Sequence, residues 1–418
     1  MKKLLARNRA GRPVGICSIC SAHPLVIEAA LRFDRNTDRE VLIEATCNQV
    51  NQEGGYTGMT PVDFRAFVED IAARVSFDTR RLILGGDHLG PNPWKHEPAE
   101  AAMDKAEALV EAYAAAGFSK LHLDASMALA GDEEPLAAVT VAERAARLAA
   151  AAERRAPVPA RLAYVIGTEV PVPGGESDGL DQVAVTRPAR VAETVDTHRA
   201  AFAARGLDDA FSRVVAVVVQ PGVDFDHSST IAYDPAQASA LVDAIDDYDG
   251  LVFEAHSTDY QARGALAALV ADHFAILKVG PALTFALREG LFALAAIEDE
   301  LLPAECRSDL RAVIEAVMGA EPDAWRGYYQ GDEQRLAVLR AFSFSDRIRY
   351  YWQHPRVARA VDRLFDNLEG LHVPAALWRQ YAGHEFARLG ATHMAAGDVV
   401  IDKITQVLED YRHACDLP

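Results

Sequence analysis

The first 300 residues repeat one texture eight times: a short apolar run, then an alanine-rich stretch with helical spacing. The runs are Val14–Ile19, Val41–Cys47, Arg81–Gly86, Lys120–Ala125, Arg161–Gly167, Val214–Gln220, Leu251–His256 and Ala275–Gly280. Helical segments fall near 23–33, 61–76, 98–116, 138–154, 187–205, 235–246, 260–270 and 283–300. Continuous apolar strands, without in–out alternation, fit a parallel sheet covered on both faces. Parallel neighbours require crossovers, which the helices supply. Eight such units predict a closed α/β barrel, the (β/α)8 or TIM fold, over residues 1–302. An open doubly wound sheet is the alternative, but it calls for a Gly-rich phosphate turn after the first strand. Cys20-Ser21-Ala22-His23-Pro24 is not one.

Residues 303–418 continue as helical patterns near 307–318, 333–343, 354–369, 373–389 and 393–414, with a polar hinge near 320–333. They read as a helical C-terminal extension capping the barrel. Gly167–Pro188, after the fifth strand, is long and rich in Pro and Gly, as covers over active sites often are.

The formal charge of −19 disfavours nucleic acid and anionic membranes as partners. An anionic substrate then needs a local positive site. No 20-residue apolar span and no apolar leader core are visible, and the five cysteines are scattered, which points to the cytoplasm. Cys17 and Cys20 form a lone CxxC, more simply part of a buried strand than half a metal site.

Barrel enzymes place their chemistry at the C-terminal ends of the strands. The ends here are Glu44 with Asn48 and Gln49, then Asp87-His88, His122 with Asp124, Glu169, Gln220, His256-Ser257-Thr258, and Lys278 before Gly280. A lone strand-end histidine is usually structural. A ring of acids and imidazoles after apolar strands is costly unless paired or metal-bound. His88 and His256 are the leading ligands for a divalent metal, zinc by ligand type. Glu169 would complete a two-His, one-Glu set; Gln220 and Asp124 are alternatives. Asp87 is the candidate acid/base, or else a helix cap, and Asp124 a proton carrier or an orienting group. Gly280, with Ser257 and Thr258, matches the usual barrel phosphate site at a helix N-terminus. Lys278 is a charge-balancing group or, less simply, a Schiff-base lysine. Asn48 and Gln49 are candidate substrate contacts. In Ser343–Trp352, taken as a helix, Arg347 and Arg349 lie about 200° apart and cannot both face one site; Arg347 is the one expected to reach a substrate phosphate from the extension. No GxxxxGK[ST] loop occurs, so a nucleotide-phosphate site is unsupported.

The stretches GICSICSAHPLVIEAAL, EATCNQVNQEGGYTGMTP, GGDHLGPNPW, LHLDASM, IGTEVPVPGG, VVQPGV, FEAHSTDYQ, ILKVGPALTFALREGLFAL and SDRIRYYW resemble the non-catalytic subunits of tagatose-1,6-bisphosphate aldolase. That family is also labelled tagatose-6-phosphate kinase, a label the residues do not support, and is similar to the class II aldolases. The resemblance implies a catalytic acid at Asp87 and metal ligands at His88 and His256. The class II pattern has a further histidine after the sixth strand, where this chain has Gln220-Pro221-Gly222. His227 follows in what reads as a loop, and Glu169 is placed to compensate. Two roles are implied. One is an enzyme of retro-aldol/aldol type, such as a 4-epimerase, acting on a ketohexose phosphate like tagatose 6-phosphate. The other is a stabilising partner of a catalytic aldolase subunit. The sequence leaves a homo-oligomer open.

Overall fold

A computed structural model describes residues 1–169, 183–389 and 394–416. Its eight strands close into a parallel barrel in sequence order. They are Ile16–Cys20, Val41–Thr46, Leu82–Leu89, Lys120–Leu123, Ala163–Ile166, Val214–Val219, Val252–Ala255 and Phe274–Val279, numbered 1 to 8 below. Every expected strand is present, with ends moved by a few residues. Strand 3 runs furthest past its expected end, so Asp87 and His88 lie inside it.

Two apolar cores hold the barrel. One lies between strands and helices and contains Ile43, Leu121, Tyr164, Phe253 and Leu277. The other fills the lower barrel with Ile16, Leu42, Val165, Val218 and Ile276. A helix not expected from the sequence, Lys2–Arg9, closes that end. Its Leu5 joins the interior core, and Asn8 donates to the carbonyls of Val14 and Val270, both at 2.9 Å. The segment is strongly polar overall, and its few apolar residues gave no periodic signal. Above the apolar layers the interior becomes charged, and there the site begins.

The extension wraps the barrel. Its last helix, Ala396–Cys415, packs on helices Pro281–Leu301, Arg263–Ala271 and Pro24–Asp34. The chain returns to strand 1, where Gly15 N donates to the Cys415 carbonyl at 3.1 Å. The helical run expected over 373–389 is broken into Ala375–Tyr381 and Gly383–Leu389. Ser343–Trp352 is not a regular helix: a 3-10 turn, Arg347–Tyr351, crosses the barrel mouth. It is pinned by Thr284, which donates to Asp346 at 2.6 Å, and by Tyr260, which donates to the Phe344 carbonyl at 2.6 Å. Among the described residues no helix is long and apolar enough to cross a membrane. Most of the expected 167–188 cover, residues 170–182, lies outside the described residues.

Candidate active site

Three imidazoles meet at the C-terminal mouth. The ring centroids of His88 and His256 are 4.8 Å apart, those of His88 and His122 5.0 Å, and those of His122 and His256 5.1 Å. With Asp87 they form a buried group whose ligand atoms all lie within 4.8 Å of one another. The backbone builds this closeness. His88 has φ +48°, a left-handed turn inside strand 3 that swings its side chain towards the barrel axis. A Cβ at Gly90 would lie 1.7 Å from the Asp124 carbonyl oxygen, so only glycine lets strands 3 and 4 approach there.

Asp124 holds His88: its Oδ2 lies 2.8 Å from His88 Nδ1, while Ser126 donates to Oδ1 through its hydroxyl at 2.6 Å. His122 Nδ1 lies 3.1 Å from Asp87 Oδ1, and His256 Nε2 lies 3.0 Å from Glu254 Oε1. Each imidazole thus has a carboxylate neighbour, the arrangement that fixes tautomer and orientation in metal sites. His122 Nε2 is buried with no partner. An orphaned imidazole nitrogen beside two further imidazoles and a carboxylate is a donor set that fits a divalent metal.

Beneath them lies a layer of buried charge. Lys120 sits between Glu44 at 2.8 Å and Glu254 at 2.6 Å, and all three are fully buried. Lys278 pairs with Asp87 at 2.7 Å and also touches Glu44. Ser18 donates to Glu44 at 2.6 Å. A Cβ at Gly85 would come within 2.2 Å of Glu44 Oε1, so glycine in strand 3 makes room for the carboxylate.

These contacts set the charge states. Burial alone would raise the Asp87 carboxyl, but His88 and Lys278 hold it well below the usual range. Asp124 is likewise held down, against burial, by His88. Burial disfavours the His88 cation, yet Asp87 and Asp124 outweigh it and raise its pKa. Burial pushes His256 down to about 3, so it stays neutral, the form that binds metal. Burial disfavours the Lys278 cation, but Asp87, Cys20, Glu44 and Glu254 raise it well above the usual lysine value. It is an ammonium at neutral pH, which disfavours the Schiff-base role.

The pocket above this layer encloses ≈ 970 Å³, open solvent at its mouth included. It is lined by Asn48, Gln49, Asp87, His88, His256, Ser257, Lys278 and Gly280, all expected from the sequence. Other expected residues lie apart from this group. Glu169 is not part of the imidazole group; its carboxylate takes Thr186 and Arg190, both at 2.8 Å. Gln220 Oε1 accepts from the amides of Gly222 and Val223 at 2.9 and 3.0 Å, closing its own turn away from the pocket lining. Thr258 faces the Lys278 carbonyl at 2.5 Å and the Tyr411 hydroxyl at 3.0 Å, also outside the lining. Arg347 stacks over Tyr328, 3.1 Å from the ring centroid, and it is Arg349 that lines the pocket. The helical spacing assumed for these arginines does not apply in a 3-10 turn. His227 is tied to Ser345 at 3.0 Å and to the Tyr328 carbonyl at 3.0 Å, a structural role.

Glu254, Lys120 and Arg349 have no site role in the sequence reading, which names Glu44 and His122 only as members of the strand-end ring. His122 and Asp124, two apart, were visible as a same-face pair in strand 4. Lys120 and Glu254 sit inside apolar runs, and a buried charge there is itself a signal.

The fold and this mouth define a TIM-barrel protein with a buried imidazole–carboxylate centre. The chain belongs to the GatZ/KbaZ-like family, described as D-tagatose-1,6-bisphosphate aldolase subunits, which it matches over residues 1–416. It is 57% identical over 420 residues to the D-tagatose-1,6-bisphosphate aldolase subunit GatZ of Escherichia coli, covering 99% of this chain and 100% of that one. The GatZ subunit of Shigella boydii serotype 18 matches to the same extent. A crystal structure of a probable tagatose 6 phosphate kinase from Sinorhizobium meliloti 1021 superposes with a TM-score of 0.89 at 52% identity, covering 96% of this chain and 100% of that one.

Proposed function

We propose that this pocket carries retro-aldol/aldol chemistry on a ketohexose phosphate such as tagatose 6-phosphate, with inversion at C4. The observation that carries this reading is Asp87, a buried carboxylate grouped with three imidazoles at the base of the pocket. His88, His122 and His256 would hold a divalent metal, zinc by ligand type. Such an ion would supply Lewis acidity towards a substrate carbonyl.

The chain's own groups do the rest. Asp87, kept ionised by Lys278 and His88, is the base that takes the C4 hydroxyl proton. The C3–C4 bond then opens, the aldehyde turns its other face, and the bond re-forms as Asp87 returns the proton. Lys278 holds positive charge beside the reacting atoms, where enolate charge develops. Asp124 keeps His88 in place. Asn48 and Gln49 line the mouth as hydroxyl contacts.

The test is interconversion of tagatose 6-phosphate and fructose 6-phosphate, followed by NMR with and without chelator, for the wild type and His256→Ala. Chelator-sensitive interconversion that His256→Ala abolishes supports this reading; cleavage to trioses would make the site an aldolase.

One further reading has a specific support: the relatives at 57% identity are named as subunits of an aldolase. In it, the chain stabilises a separate class II catalytic chain. A stoichiometrically metal-free wild type without turnover, still raising the activity of such a chain, would favour that reading over catalysis.

A further inference from the structure

The helix that opens strand 8's crossover, Pro281–Leu301, aims its N-terminus at the pocket, where barrels commonly bind phosphate. Its donors are already used. Asp259 Oδ1 accepts from Gly280 N at 3.0 Å and from Ala282 N at 2.8 Å. Pro281 has no N–H. Leu283 N and Thr284 N turn back to the Gly280 carbonyl at 3.0 and 3.4 Å. The chain's own carboxylate therefore fills the cradle, and adds a negative charge where a phosphate would sit.

Two fixed cations line the pocket, Lys278 and Arg349. Lys278 is surrounded by Glu44, Asp87 and Glu254. Arg349 contacts the carbonyls of Ser345 and Asp346 and the Tyr350 hydroxyl at 3.1 Å. Among the described residues it has no carboxylate within ion-pair distance. Beside it Trp352, 4% exposed, also lines the pocket, and its Nε1 is buried without a partner. A guanidinium without a carboxylate partner on the pocket wall, three residues from a buried indole N–H that has no partner, marks a place for an anion in a chain of net charge −19.

We propose that Arg349, supplied by the C-terminal extension, is the specificity determinant that recognises the phosphate of a sugar phosphate, and that the strand 8 helix N-terminus does not bind it. This rests on reading the pocket as a sugar-phosphate site. The barrel then supplies the reacting end and the extension selects phosphorylated sugars.

The test is isothermal titration of the full chain with tagatose 6-phosphate, tagatose and inorganic phosphate, for the wild type, Arg349→Gln and Arg349→Lys. Gln keeps a donor for the Ser345 and Asp346 carbonyls, and circular dichroism checks that both variants fold. The expected result is a preference for the phosphorylated sugar of about 10- to 100-fold in the wild type, lost in Arg349→Gln with tagatose affinity unchanged, and partly kept in Arg349→Lys. A preference that survives in Arg349→Gln overturns the proposal and leaves the function reading standing. Arg349-dependent binding of inorganic phosphate alone, with neither sugar bound, supports the anion site and defeats the sugar reading. No binding of any probe overturns both.

Discussion

Asp124 Oδ2 lies 2.8 Å from His88 Nδ1, and both residues are almost completely buried. The contact leaves His88 Nε2 on the side of Asp87 Oδ2, 3.8 Å away, and of the other imidazoles. Asp124 is not itself part of the pocket lining, so it acts through His88, which is.

Asp124→Asn is therefore expected to preserve the fold and weaken metal binding by about 10- to 100-fold, the usual effect of losing an orienting carboxylate. Competition against a fluorescent chelator, with zinc as the probe, measures it. Unchanged zinc affinity would remove Asp124 from the metal site's support.

Lys120 joins Glu44 to Glu254 in the closed interior, at 2.8 and 2.6 Å, and Lys278 also reaches both. Lys120→Met removes one of two cations from a layer that also holds Asp87. Breaking a buried network this way costs about 3–5 kcal/mol, because the carboxylates are left uncompensated. Urea unfolding should show that loss, and the double variant Lys120→Met with Glu254→Gln should recover part of it. A single variant as stable as the wild type would mean that the layer is hydrated or protonated.

Gly90 ties the strand geometry to the site. A methyl group there would meet the Asp124 carbonyl oxygen at 1.7 Å, and backbone cannot yield as a side-chain tip can. Gly90→Ala should push strands 3 and 4 apart, cost more than the roughly 1–3 kcal/mol of ordinary overpacking, and weaken zinc binding together with stability. Stability lost with full zinc affinity retained would show that His88 does not depend on this approach.

The barrel was legible because each apolar run and each helical stretch carries its own local signal. His88 and His256 were legible because they belong to a ring of acids and imidazoles after apolar strands, a set that is costly unless paired or metal-bound. What could not be read was long-range pairing. Glu169 and Gln220 end their strands as the others do, yet Thr186 and Arg190 claim one, and the Gly222 and Val223 amides claim the other. Arg347 and Arg349 are two residues apart, and choosing between them needed the 3-10 turn. The Lys2–Arg9 helix stayed hidden because its burial rests on Leu5 and Asn8 rather than on a repeating stripe.

Asp259 yields a pH prediction. Burial raises its carboxyl to about 6, although the Ala282 and Gly280 amides and Arg349 act the other way. An unfolded aspartate titrates near 4. Below that value the group is protonated in both states, and its relative contribution to stability is fully present. Between about 4 and 6 the folded state holds the proton that the unfolded state releases, so the contribution falls as pH rises and is gone above about 6. The size is on the order of 3 kcal/mol. Asp259→Asn keeps an oxygen acceptor for the helix amides and removes this titration. The stability of the variant relative to the wild type should therefore rise between pH 4 and 6 and level off above. Urea unfolding of both proteins across that range measures the difference directly, and other titrating groups cancel in it. A flat difference would mean that the helix N-terminus compensates the charge fully, and that Asp259 is an ordinary ionised cap.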